Sequence, residues 1–211
     1  MTDDLVFYTH PMSRGRIVRW MLEEVGQPYR TEVLGYGPAM KEAGYRALNP
    51  MGKVPTIRHG DTVVTECAAI CAYLADAFPQ AGLAPPVEAR ARGPYYRWLF
   101  FAAGPVEAAV LNAALKVEIP QDRKGMAGYG SLAEVLDTLE GVVTGTEFVA
   151  GGRFSAADLY LASHLGWGMR FGMMERRKAF EAYVARHDAR PAAVRARQID
   201  DALLAEAPAA P

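Results

Sequence analysis

The spacing of apolar residues changes repeatedly along the early chain, and each change predicts an element. Leu5, Val6, Phe7 and Tyr8 form an unbroken run of strand length, so they predict a short buried strand. Thr9, His10, Pro11 and Met12 read as a loop. Ile17, Val18, Met21, Leu22 and Val25 then recur at helical spacing. Ser13 is a good N-cap for that helix, and Gly26 with Pro28 ends it. Residues 29–34 return to strand character, and residues 35–48, rich in glycine and polar side chains, predict a short irregular helix. Thr56–His59 and Thr62–Thr65 are β-rich runs around Gly60-Asp61, a hairpin signature. Cys67, Ile70, Cys71, Leu74 and Phe78 recur at i, i+3, i+4, i+7 and i+11, which predicts a helix with one apolar face.

Beyond this the pattern is helical. Residues 79–86, Pro-Gln-Ala-Gly-Leu-Ala-Pro-Pro, read as a linker. Residues 89–117 predict a long helix, kinked or broken at Gly104-Pro105. Ser131 with Glu134 forms a capping box before Leu132, Val135, Leu136 and Leu139. Ser155 with Asp158 forms another, and Phe154 is placed to staple onto Leu159. Residues 178–185 and 191–204 are further helices, and the Ala/Pro tail from Ala207 is expected to fray. The glycines of residues 125–130 follow no strand and lack a P-loop lysine, so they mark a plain loop.

The order strand, helix, strand, hairpin, helix is a βαβ–ββα arrangement with a parallel first pair, the thioredoxin-like layout. The expected organisation is a thioredoxin-like α/β domain over residues 1–78, a linker over 79–88 and an all-α domain over 89–211.

Composition narrows the function. Hydrophobic content of 51% and charged content of 22% suit an ordinary packed core. A net charge of −1, without marked bias in either half, argues against nucleic acid or an anionic membrane as partner. No apolar run approaches the ~18 residues of a membrane span. The start, Met1-Thr2-Asp3-Asp4, carries no signal-peptide pattern. Cys67 and Cys71 lie one helical turn apart and read as core packing, and a reducing cytoplasm is the expected location. Four scattered histidines without clustered ligands predict no metal site.

The stretch from Asn49 carries the most specific signal. It combines Asn49-Pro50 before a glycine, Lys53-Val54-Pro55 before the hairpin, and Glu66 opening the next helix. A cis Val54-Pro55 bond would turn the chain and leave Val54 with free backbone groups that an extended peptide could pair with. The combination resembles the N-terminal half of cytosolic, bacterial-type glutathione S-transferases. The Ser155–Asp158 box is similar to one in the helical domain of that family. The resemblance covers nearly the whole chain, most strongly residues 5–78 and 148–166.

It implies a cleft between the two domains, a homodimer, glutathione as co-substrate and a role in detoxification. It also implies that Val54 pairs with the cysteinyl backbone of glutathione. Glu66 and residue 67 would hold the γ-glutamyl end, and Lys41 or Lys53 the glycine carboxylate. The family usually has Ser where this chain has Cys67. A thiol is a weak donor, so that contact is expected at the backbone N–H of the helix start.

The chemistry turns on the thiol of glutathione, whose reference pKa lies near 8.5 like that of free Cys. Lowering it by about two units takes on the order of 2.7 kcal/mol of preferential thiolate stabilisation. Ser13, a hydroxyl at a helix start, resembles the serine of the serine-type classes. Tyr8 is the alternative, since it ends the first strand as the tyrosine of tyrosine-type classes does. Arg14-Gly15-Arg16 echoes some of those classes, at a shifted spacing, and Thr9 also remains open.

Arg14, Arg16 and Arg19 crowd the first helical turns, where a cation costs about 0.3–1 kcal/mol against the helix dipole. An anion at Arg14 would offset this, while Arg16 and Arg19 read as solvated or paired with Glu23. No cysteine lies within residues 8–16, which argues against a cysteine-type thiol transferase.

The second substrate is expected to be an apolar electrophile. Met12, Tyr95, Trp98, Phe100, Trp167 and Met169 are candidates to line its side of the cleft, although such residues on helices mostly face a core. The expected function is conjugation of glutathione to that electrophile. The alternatives are a non-catalytic glutathione-fold protein that binds a ligand or partner, and a glutathione-dependent peroxidase or disulfide reductase.

Overall fold

A computed structural model describes residues 4–206, so the tail from Ala207 lies outside the described residues. The chain divides into two compact units. The first contains β1 (Leu5–Thr9), α1 (Gly15–Val25), β2 (Arg30–Val33), α2 (Ala43–Leu48), β3 (Thr56–His59), β4 (Thr62–Thr65) and α3 (Cys67–Ala77). Its sheet runs β2-β1-β3-β4, with β1 and β2 parallel and the other pairs antiparallel. This is the expected thioredoxin-like layout.

Strand alternation sends Phe7 toward α1, where the Arg19 guanidinium lies over its ring, and Tyr8 to the opposite face against Tyr45 of α2. Ile17, Val18, Met21, Leu22 and Val25 are all buried, as their spacing predicts. Gly26 stops α1 in the left-handed region at φ 72°, and its N–H closes on the Leu22 carbonyl at 3.0 Å.

The last helix, α9 (Pro191–Glu206), falls in this first unit and not with the other helices, unlike the expected boundaries. It packs along α1 and buries Ala192, Ala193, Ala196 and Asp200. Small side chains let the two helices approach, and charge sets their alignment. The basic start of α1 meets the acidic end of α9 through Arg16–Asp201 and Arg19–Asp200. The acidic end of α1 meets basic residues at the start of α9 and just before it, through Glu24–Arg190 and Glu23–Arg195. The pairing places the two helices antiparallel. Arg16 and Arg19 therefore pair with the α9 carboxylates and not with Glu23, and Arg19 is sealed from solvent. Their carboxylate partners lie more than 180 residues away, beyond any local pattern.

The second unit holds α4 (Arg92–Phe101), α5 (Glu107–Ala114), α6 (Leu132–Gly145), α7 (Ala156–Arg170) and α8 (Lys178–Asp188). Gly104-Pro105 does not break the long helix. A π segment, Ala102–Val106, absorbs the proline's missing N–H and carries α4 into α5. Residues 121–126 make a 3-10 turn within the loop before α6.

The box at α6 is half formed. Ser131 accepts from the Glu134 N–H at 3.2 Å, but the Glu134 carboxylate takes the Ser131 hydroxyl at 2.8 Å. The box at α7 is complete. Buried Asp158 accepts from Ser155 N–H, Ser155 Oγ, Val149 N–H and Tyr183 Oη at 2.8–2.9 Å. Burial raises the pKa of both Asp158 and Tyr183. Asp158 is thus a folding residue, as the sequence implies.

Among the described residues no helix is long and apolar enough to cross a membrane. No group of three or more His, Cys, Asp or Glu among them could hold a metal.

Candidate functional site

The loop between β1 and α1 is a tight turn. Ser13 N–H donates to the His10 carbonyl at 2.9 Å, and Ser13 Oγ donates to the same oxygen at 2.7 Å. Ser13 Oγ in turn accepts the Gly15 N–H at 2.9 Å. Helix α1 therefore begins at Gly15 with Arg14, not Ser13, at the capping position, one residue later than expected, although the Ser13 side chain still accepts the first helical N–H.

Gly15 is necessary here, because a Cβ would overlap Thr9 Oγ1 and press on Ser13 Oγ. Thr9 is buried and its hydroxyl has no hydrogen-bond partner among the described residues. The Ser13 and Thr9 hydroxyls thus converge on the start of α1, whereas Tyr8 projects from the other face of the sheet. Of the three candidates, geometry groups Ser13 with Thr9 and separates Tyr8.

The Val54-Pro55 bond is cis. Neither the N–H nor the C=O of Val54 has a partner among the described residues, so both are available to a bound peptide. The segment is held on either side of that gap. Tyr45 Oη donates to the Lys53 carbonyl at 2.6 Å and shares a hydrogen bond with Thr56 Oγ1 at 2.9 Å. Asn49 Nδ2 reaches the same Lys53 carbonyl at 2.8 Å, while its Oδ1 accepts from Met51 N–H. Asn49 was visible as part of the motif. Tyr45 was not, because a tyrosine inside an irregular helical stretch carries no pattern of its own. Burial raises the Tyr45 phenol's pKa, so it stays a donor at neutral pH.

The start of α3 supplies the third piece. Glu66 precedes it with φ 67° and ψ 121°, an uncommon conformation for a residue with a side chain. Such backbone costs on the order of 1–3 kcal/mol and gathers at binding sites. The Glu66 carboxylate has no partner among the described residues.

The first bond within the helix runs from Ile70 N–H to Glu66 C=O, so the amides before it face outward from the helix end. Cys67 turns its thiol to the Arg14 carbonyl at 3.6 Å, which brings the starts of α1 and α3 side by side. Two helix N-termini thereby add their partial positive charges at one place. Cys71 is buried in the same helix with its thiol pKa raised by desolvation, and neither cysteine is in a disulfide.

The two lysines differ. Lys53 presents an exposed ammonium without a partner among the described residues. Lys41 instead donates to the Met51 and Gly52 carbonyls at 2.9 and 3.0 Å, bracing the turn before the motif.

The apolar candidates also separate. Tyr95, Trp98 and Met169 are buried within the core of the second unit. Trp167 is half-buried against Phe171, while Phe100 is 69% exposed. Met12, beside Ser13, is 65% exposed.

Comparison with known proteins follows this division of the chain. The glutathione S-transferase N-terminal domain matches residues 12–77, and the C-terminal domain of the same family matches residues 114–191. Glutathione S-transferase F9 of Arabidopsis thaliana is 30% identical over 169 residues, which cover 72% of this chain and 76% of that protein. Glutathione S-transferase GstA of Escherichia coli O157:H7 is 29% identical over 164 residues, covering 77% and 78%. A sphingomonad glutathione S-transferase solved with bound glutathione superposes with a TM-score of 0.76 at 25% identity, over 93% of this chain and 98% of that one.

Proposed function

We propose, from the premise that this chain belongs to the glutathione S-transferase family, that it conjugates the thiolate of glutathione to an apolar electrophile with Ser13 as the thiolate's hydrogen-bond donor. The observation that carries this reading is the convergence of the Ser13 hydroxyl with two helix N-termini, and the backbone of Val54, unpaired among the described residues, supports it.

The Ser13 hydroxyl is free to turn. Its oxygen keeps the Gly15 N–H, and the His10 carbonyl that loses the Ser13 O–H retains the Ser13 N–H. Swinging the O–H onto sulfur therefore strands no buried group. A charge-assisted hydrogen bond of roughly 1.5–3 kcal/mol, with the helix dipoles added, reaches the ~2.7 kcal/mol that a two-unit pKa drop needs.

In this reading Val54 pairs with the cysteinyl backbone, and Pro55 fixes the turn that exposes it. Glu66 holds the γ-glutamyl ammonium. The amides at the Cys67 helix start receive the γ-glutamyl carboxylate, since the Cys67 thiol faces Arg14. Lys53 meets the glycine carboxylate, with the third hydrogen of Lys41 beside it. Arg14 adds positive charge at the start of α1. Exposed Met12 offers the electrophile an apolar contact next to the sulfur.

We place the protein in the reducing cytoplasm, which suits two cysteines outside any disulfide, and expect a homodimer. Tyr96 and Phe100, stacked one turn apart on the exposed face of α4, favour such a partner.

The deciding experiment is a conjugation assay with an activated aryl chloride after retention on immobilised glutathione. Retention without turnover toward aryl halides, peroxides or disulfides would favour the non-catalytic alternative. Turnover of peroxides or disulfides alone would favour the peroxidase or reductase.

A further inference from the structure

The peptide unit joining Pro11 to Met12 is held on both edges. Met12 N–H donates to His10 Nδ1 at 3.1 Å, and the Pro11 carbonyl accepts from Arg16 Nε at 2.6 Å. The other arm of that guanidinium donates to Asp201 on α9 at 2.6 Å. A single planar fork thus bridges the loop before Ser13 and α9 through two separate nitrogens, a fixed geometry that the single flexible ammonium of a lysine does not reproduce. Rotation of this peptide plane would change Pro11 ψ and Met12 φ and swing Ser13 off its mark.

We propose that Arg16 and Asp201 are positioning residues for Ser13. Asp201 orients the Arg16 guanidinium, the guanidinium fixes the Pro11–Met12 peptide, and that peptide aims the Ser13 hydroxyl. The proposal rests on the reading of Ser13 as the thiolate's donor. The other contacts along α9 separate this role from mere attachment of the helix. Glu24–Arg190 at 2.6 Å and Glu23–Arg195 at 3.2 Å tie α9 to the far end of α1 without touching the loop. The Asp201 side chain is 58% exposed and that of Arg16 18%, so removing Asp201 leaves a guanidinium that still reaches water and keeps the Pro11 carbonyl, unlike the sealed Arg19.

The test uses the full chain with glutathione and an activated aryl chloride. It reads kcat, the KM for glutathione, the pH–rate profile and the thermal midpoint. Asp201→Ala and Arg16→Lys are expected to lower kcat by about tenfold, since small misplacements cost that much or more. The apparent pKa of the bound thiol should rise, with the KM for glutathione within about twofold. Asp201→Glu should recover most of the loss. Arg195→Ala should leave kcat and the thiol pKa in place even if the midpoint falls.

An equal loss of kcat in Asp201→Ala and Arg195→Ala, tracking the thermal midpoint, would assign Asp201 to attachment alone and overturn the proposal. So would an unchanged thiol pKa in Asp201→Ala when Ser13→Ala shifts it. If Ser13→Ala itself leaves the thiol pKa unchanged, the reading of Ser13 fails first and the positioning role goes with it.

Discussion

Arg19 and Asp200 meet at 3.1 Å with each side chain 1% exposed, a charged pair sealed between the first and last helices. The guanidinium also donates to Tyr29 Oη and Thr31 Oγ1 and lies over the Phe7 ring. Burial raises the Asp200 carboxyl's pKa although Arg19 pulls it down, so desolvation outweighs the pairing. Asp200→Ala should therefore cost about 3–5 kcal/mol, because it strands a buried guanidinium. The apolar pair Arg19→Met with Asp200→Leu should recover most of that loss. Denaturant midpoints decide it, and a double variant no more stable than Asp200→Ala would show that the pair itself supplies the stability.

Ser13→Ala should raise the pKa of bound glutathione and lower turnover at neutral pH by about one to two orders of magnitude, the worth of a charge-assisted hydrogen bond. The KM for glutathione should change less, since Val54 and Glu66 do not depend on that hydroxyl. Stability should fall by about 1 kcal/mol, because Gly15 N–H loses its acceptor. Ser13→Asp keeps an acceptor for Gly15 but sets a negative charge beside the sulfur, so it should fold and be at least as inactive. If Tyr8→Phe loses the rate and Ser13→Ala keeps it, the tyrosine-type reading prevails.

Glu66→Ala should raise the KM for glutathione by removing the partner of the γ-glutamyl ammonium, and Lys53→Ala should raise it by removing the partner of the glycine carboxylate. Steady-state kinetics and calorimetric titration check both. Unchanged affinity in both variants would overturn these assignments. Glu66→Gly should also bind weakly while gaining stability, since it relieves the positive φ.

His10 sets an acid limit. Burial lowers its pKa below the ordinary 6.5, and its Nδ1 accepts from Met12 N–H, which requires the neutral ring. A base whose folded pKa is depressed contributes stability that is present above the unfolded value near 6.5. That contribution is lost as the pH falls through the folded value. Thermal midpoints from pH 5 to 7.5 (roughly one unit either side of His) should fall with acidity in the wild type and fall less in His10→Phe. Parallel slopes would show that His10 titrates without consequence.

Much of the first unit was legible because its elements are local. Ile17 to Val25 and Cys67 to Leu74 mark their helices by spacing alone, and Gly60-Asp61 marks the hairpin. The motif from Asn49 to Glu66 located the site for the same reason. What escaped were contacts without sequence period. Arg16 and Arg19 each have Glu23 within local reach, and nothing nearby points to Asp200 and Asp201. Gly104-Pro105 spells a break, yet the helix takes up the missing donor by widening one turn. Tyr45 supports Lys53 through a phenol whose importance depends on where a loop returns.

The placement of α9 bears on how the protein is made. The first unit is discontinuous in sequence, completed only by residues after Arg190. During synthesis its sheet and first helices leave the ribosome early, with the α1 face that α9 covers still bare and Arg19 without its carboxylate. The second unit is contiguous and can close first. The first unit is sealed only once α9 has emerged, so a stop codon ahead of Pro191 should damage elements made long before it.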